Sequence, residues 1–222
     1  MLDAAVEARP WAEQLELDDV AYRAQLDYLF GRSAFYRGKL TAAGVGSARE
    51  AGGLDALAHL PLTEKPELRE TVTAEQPVGA HLCAEPGEIV RIYSTSGTTG
   101  TPSYVPLTAG DLDNWITGSA RSYAASGVVR GQRIVSTYNA GPFVAGAALA
   151  SFDRIGLCHV PVGTGNTERL VKAIELLRPE AAVLTPSYAA HLAEEQQRPI
   201  GFLMAGHAEE AIAYEPPGDA TP

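Results

Sequence analysis

Seven hydroxyl side chains fall between positions 94 and 103: Ser94, Thr95, Ser96, Thr98, Thr99, Thr101 and Ser103. Gly97 and Gly100 are interleaved with them, in the run "YSTSGTTGTPS". Glycine lets the backbone turn and brings N–H groups inward, and hydroxyls add neutral donors. A loop of this composition can wrap a polyphosphate without a formal positive charge of its own. It is not the GxxxxGK[ST] loop: the sixth position from Gly97 is Pro102, and no Lys-Ser/Thr pair follows. Composition alone also fits a flexible linker. What argues against a linker is the flanking sequence, because "EIVRIYS" before it and "SYVPLT" after it both read as strands. Pro106 places the second of these at a sheet edge or ends it.

The elements around the loop set its scaffold. Residues 1–85 read as a mainly helical segment. "DDVAYRAQLDYLFGRS" puts Val20, Leu26, Leu29 and Phe30 near one face with Asp18 or Asp19 as a cap, "SAFYRGKLTAAGV" continues it, and a T-E-K-P turn precedes a short helix. Residues 86–207 read as an α/β nucleotide-binding region. Thr108 and Asp111 form a capping-box pattern ahead of a helix that Gly127 stops. "RIVSTY", "LCHVPV", "AAVLTP" and "IGFLMAG" then read as strands separated by helices, with Asn166 or Thr167 capping one of them. That alternation predicts an α/β fold: an open, mostly parallel sheet with flanking helices, preceded by the helical segment. Tyr138, the turn from Gly163 and Pro186 would lie at carboxyl ends of strands, where such sheets bind ligands. Residues 208–222, rich in proline and polar groups, read as a disordered tail.

Bulk properties exclude several classes. The 222 residues carry 27 acidic and 17 basic side chains, a net charge of −10, which argues against nucleic acid and anionic membranes as partners. Cys83 and Cys158 form no CxxC pair and read as reduced thiols of a cytoplasmic protein. His59, His81, His191 and His207 lack metal-ligand spacing, so no protein metal site is expected. Cys158 and His159 are adjacent on a strand, point to opposite faces and so do not pair. No signal peptide or membrane-spanning run is evident.

The loop, with "SAFYRGKLTAAGV", "LPLTEKPELRE", "GDLDNW", "GNTERLV" and "TPSYAAHLAE" in order around it, resembles the adenylate-forming ligases, and within them phenylacetate–CoA ligase and its relatives. The resemblance runs from about residue 15 to 195 and matches only the N-terminal half of that fold. It implies activation of an aryl or acyl carboxylic acid by ATP and magnesium to an acyl-adenylate, then transfer to coenzyme A. It implies that Ser94, Thr95, Ser96, Gly97, Thr98, Thr99, Gly100 and Thr101 hold the nucleotide phosphates. Tyr138, Gly141, Phe143 and Gly146 would line the acid pocket, although core packing explains Tyr138 and Phe143 as well. The family's loop carries lysine where this chain has Thr101. No residue matches its catalytic lysine; Lys65 reads as a turn residue and Lys172 as a helix residue, so the catalytic residues stay unassigned. Three readings follow: an incomplete ligase, half of a split ligase completed by a second polypeptide or served by a carrier protein, or a non-catalytic nucleotide-binding or interaction module. Apolar surface left by the missing half would favour a homodimer.

Overall fold

The computed structural model describes residues 2–95, 103–138, 145–196 and 204–205. The chain divides into two compact units, residues 4–112 and residues 113–222 with the first three residues.

In residues 4–112, a short helix α1 (Ala4–Glu7) precedes the long α2 (Trp11–Arg32) and then α3 (Ala34–Ala42). Helix α2 starts well before Asp18 and Asp19, so neither is its cap. Pro10, at φ −56° and ψ 137°, stands at the N-cap instead, and "WAEQLEL" has no residue that stops a helix from starting there. The two aspartates take mid-helix partners. Gln14 donates to Asp18 (2.6 Å) and Arg23 to Asp19 (2.7 Å), both at i,i+4 spacing. The buried face also differs from expectation: Leu26 is 3% exposed but Val20 is 67% exposed. Ser33 separates α2 from α3, so the second helix does not continue the first. Its backbone is extended, and its hydroxyl accepts from the Tyr36 N–H at 3.2 Å. Helix α3 ends at Gly44, φ +86°, where Val45 N–H reaches back to the Leu40 carbonyl. A 3-10 turn (Leu54–His59) and helix α4 (Lys65–Glu70) follow.

Strands β1 (Ile89–Ser94) and β2 (Tyr104–Thr108) pair antiparallel as a sheet of their own, with Ser94 opposite Tyr104 and Ile92 opposite Pro106. Because this sheet has two strands among the described residues, Pro106 can be tolerated without a central ladder being broken. Tyr93 and Leu107 are buried, while Val90, Ile92 and Tyr104 are exposed on the alternate positions.

Helix α5 (Ala109–Ala125) leads to the parallel sheet, whose order is β4 (Cys158–Pro161), β3 (Arg133–Ser136), β5 (Ala181–Leu184), β6 (Met204–Ala205). Helices α6 (Ala145–Ile155), α7 (Thr167–Leu177) and α8 (Pro186–Gln196) make the crossovers. This is the expected open α/β sheet. Its central strands β3 and β5 are apolar and buried on both sides because both faces are covered. Ile134 and Val183 pack with Ala120, Phe152 and Ile155 on one face, while Val135, Ala182 and Leu184 pack with Leu170, Ala189 and Leu192 on the other. The capping box of α5 forms as expected: Thr108 donates from its N–H (2.9 Å) and hydroxyl (2.7 Å) to Asp111, and the Asp111 N–H donates back to Thr108 Oγ1. Asn166 caps α7 by accepting from the Arg169 N–H at 2.8 Å.

Candidate functional site

The hydroxyl loop leaves the hairpin at Thr95 and returns at Ser103. These two residues close its neck. Thr95 N–H donates to the Ser103 carbonyl (2.9 Å), and Ser103 N–H donates to Thr95 Oγ1 (3.0 Å). Ser94 is the last residue of β1, half-buried beside them. Ser96, Gly97, Thr98, Thr99, Gly100 and Thr101 lie outside the described residues.

Two cations converge on the neck from α4. Lys65 Nζ stands 3.5 Å from Thr95 Oγ1, and Arg69 Nε stands 3.4 Å from Ser103 Oγ. Their spacing of four residues puts them on one side of a helix. Lys65 therefore opens a helix and is not a turn residue. Sequence reading attached no role to either side chain, although "TEKPELRE" contained the signal: a proline-initiated helix with basic residues four apart. A capping box holds the start of α4, where Glu67 Oε2 accepts from the Glu64 N–H at 2.6 Å. The other oxygen of Glu67 pairs with Lys39. These bonds, from the Glu64 backbone first and Lys39 second, hold the Glu67 carboxyl below its ordinary range. Lys65, by contrast, has no carboxylate partner among the described residues. Lys65 and Arg69 thus bring positive charge to the neck.

Next to the neck, within residues 4–112, opens a groove of about 1440 Å³. Leu29, Leu68, Val72, Val78 and Leu82 line it, with Lys65, Arg69, Thr95 and Ser103 at its polar end. His81 forms part of the wall. Its Nδ1 lies 3.2 Å from Thr71 Oγ1, and that hydroxyl donates to the Leu68 carbonyl at 2.7 Å. A hydroxyl has one proton, so His81 is the donor to Thr71. Burial pushes the His81 pKa down, so this ring is held neutral. Burial also pushes the Cys83 thiol up, which disfavours the reactive thiolate.

In residues 113–222, the parallel strands place Tyr138, Gly163 and Pro186 past one end of the sheet. Tyr138 packs against the core that contains Phe152 and Ile134. The Tyr123 phenol on the same core is pushed up to about 12, by burial first and by Tyr138 second. Gly146 is half-buried in the first turn of α6, while Gly141 and Phe143 lie outside the described residues. Ser136 Oγ and His159 Nε2 are 2.8 Å apart across neighbouring strands, with the His159 ring 4.9 Å from that of Phe152. Burial lowers the His159 pKa, opposed by the Asp153 charge. Cys158 is exposed, while the partner of His159 is Ser136. Tyr188 donates to Thr167 Oγ1 at 2.9 Å, which ties α8 to α7. Among the described residues, no three His, Cys, Asp or Glu side chains are grouped to hold a metal ion, and no helix is long and apolar enough to cross a membrane.

No family model matches the chain. It is 36% identical over 217 residues to phenylacetate–coenzyme A ligase of Thermus thermophilus, covering 97% of this chain and 46% of that one. It is 34% identical over 184 residues to the enzyme of the same name from Escherichia coli K12, covering 82% and 40%. Among solved structures it matches 2-hydroxyisobutyryl-CoA ligase in complex with 2-HIB-AMP and CoA, with a TM-score of 0.77 and 28% identity, over 85% of this chain and 40% of that one. The chain therefore spans less than half the length of the curated relatives it matches.

Proposed function

We propose, for a chain homologous to the N-terminal part of phenylacetate–coenzyme A ligases, that it grips the phosphate tail of ATP and takes part in activating a carboxylic acid as its acyl-adenylate. The observation that carries this reading is the neck of the hydroxyl loop: a backbone-closed turn with Lys65 and Arg69 held against its two ends. Ser94, Thr95, Ser96, Gly97, Thr98, Thr99, Gly100 and Thr101 would surround the β- and γ-phosphates with hydroxyl and amide donors. Lys65 would add the mobile positive charge, and Arg69 would hold Ser103 in place. Such donors stabilise negative charge without rearranging during the reaction. Magnesium would come bound to the nucleotide phosphates, as is usual where a divalent ion meets substrate phosphates.

For the acid, Tyr138, Gly141, Phe143 and Gly146 would shape an apolar slot at the sheet end, suited to an aryl or acyl group. Coenzyme A is the proposed acceptor, on the chemistry named for the relatives. Because the chain matches under half of those proteins, a second reading has support: nucleotide binding here with catalysis completed by further polypeptide. ATP–magnesium titration and pyrophosphate exchange, run with a panel of aryl and aliphatic acids, test both. Exchange by the pure chain supports a self-sufficient adenylating enzyme. Saturable ATP binding with no exchange supports the second reading. Absence of ATP binding overturns both.

A further inference from the structure

We infer that the groove between α2, α4 and the hairpin is a binding site for an amphipathic carboxylate: a flexible hydrocarbon chain along its apolar wall and a carboxylate at Lys65. The inference shares Lys65 with the nucleotide reading but does not depend on it.

The wall comes from three segments. Leu29 lies on α2, Leu68 on α4, and Val72, Val78 and Leu82 on the stretch between α4 and β1. Leu29, Leu68, Val78 and Leu82 are half-buried, and Val72 is 48% exposed. Apolar side chains in a concavity, each with part of its surface still in water, leave hydrophobic free energy that a ligand can gain. At about 1440 Å³, the groove exceeds the ~300–1,000 Å³ of ordinary small-molecule pockets, so a single ring would fill little of it. A long chain uses the wall better.

The charge pattern selects the headgroup. Two carboxylates line the groove, Glu88 and Asp111, and both are occupied. Glu88 accepts from the Glu85 N–H at 2.8 Å and lies 3.6 Å from Arg32. Asp111 accepts from Thr108 in the cap of α5. His81 is held neutral. Among the described residues, Lys65 has no carboxylate to neutralise it and meets only the Thr95 hydroxyl, at 3.5 Å. An ammonium and a hydroxyl at the end of an apolar trough match a carboxylate and not a neutral or cationic head. Since Lys65 also stands at the loop neck, an occupied groove and a bound nucleotide should compete for its charge.

The test is calorimetric titration of the purified chain with decanoate, below its micelle concentration, alongside octanoate, decanol and ATP–magnesium. Saturable decanoate binding is expected, strengthening roughly two- to fourfold per added methylene. Lys65→Met should weaken decanoate at least fivefold and leave decanol unchanged. Val72→Ser, at an exposed position that does not carry the fold, should weaken decanoate and decanol alike while leaving ATP affinity in place. Circular dichroism of each variant verifies folding. No saturable decanoate binding to the wild type overturns the inference. So does equal binding by wild type and Lys65→Met, which marks detergent-like adsorption. Decanoate binding without ATP binding would sink the nucleotide reading and leave this one standing.

Discussion

Gly79 lies in the chain between Val78 and His81 of the groove wall and tests how that wall is built. Its φ is +93°, and a Cβ placed on it would lie 2.5 Å from Cε1 and Nδ1 of His81 and 2.6 Å from Thr71 Oγ1. Gly79→Ala therefore brings two separate penalties. The left-handed backbone costs an L-residue about 1–2 kcal/mol, partly offset by the ~0.4–1 kcal/mol that alanine gains by restricting the unfolded chain. The methyl group must also displace the His81 ring. That breaks the Thr71–His81 hydrogen bond, worth about 0.5–1.5 kcal/mol, and adds about 1–3 kcal/mol of overpacking. The expected sum is roughly 2–6 kcal/mol, from these same terms. Gly44 supplies the control. Its φ is +86°, but nothing lies within 4 Å of the added methyl, so Gly44→Ala should lose only about 1 kcal/mol, the backbone term alone. Urea unfolding followed at 222 nm measures both, with unchanged m-values required for the comparison. His81→Ala in the Gly79→Ala background should restore part of the loss, because the ring is the obstacle. Equal destabilisation by the two glycine variants, or no coupling between positions 79 and 81, would refute this account of the wall.

Other perturbations follow from the neck, the sheet and one cap. Lys65→Ala should weaken ATP–magnesium binding about tenfold, the low end for a charged hydrogen-bond donor, and Thr101→Lys should tighten it; titration that finds neither change would remove the electrostatic role of the neck. Asn166→Ala should lose about 1 kcal/mol in urea unfolding by uncapping α7, and a loss indistinguishable from zero would mean the Arg169 N–H is satisfied otherwise. His159 has a folded pKa lowered from 6.5, so the unfolded chain binds its proton first. Its stabilising effect is complete above about pH 6.5 and declines as pH falls toward the lower folded value. His159→Gln should flatten the stability profile between pH 7 and 5 in part, since His81 shifts in the same direction; an unchanged slope would count against burial as the cause. Glu180 acts at lower pH. Its carboxyl is drawn down to about 2 by side-chain and backbone hydrogen bonds from Arg133, so its contribution is complete above about pH 4.5 and declines toward pH 2; Glu180→Gln should lower the neutral plateau and flatten the acid limb.

Much of the fold was legible because the governing interactions are local. The Thr108–Asp111 box, the Asn166 cap and the glycine stops at Gly44 and Gly127 each depend on residues within a few positions of one another. The same holds for the apolar runs of β3, β4 and β5, whose alternation with helices allowed little but a parallel sheet covered on both faces. The strands flanking "STSGTTGT" were legible from their β-forming residues. The start of α2 was missed because Asp18 and Asp19 are good caps in isolation, yet each found a better partner inside the helix.

Residue order by itself thus established the succession of elements, the hydroxyl loop and the homology to acid-activating ligases. Only the folded chain brought Lys65 to Thr95 across 30 positions and Arg69 to Ser103 across 34. It also joined Ser136 to His159, turned Val20 outward while burying Leu26, and opened the groove beside the neck. Caps and periodicity are decided by backbone geometry over a turn or two. Which helix faces which strand is decided by how several amphipathic surfaces cover one another at once, and no single segment carries that information.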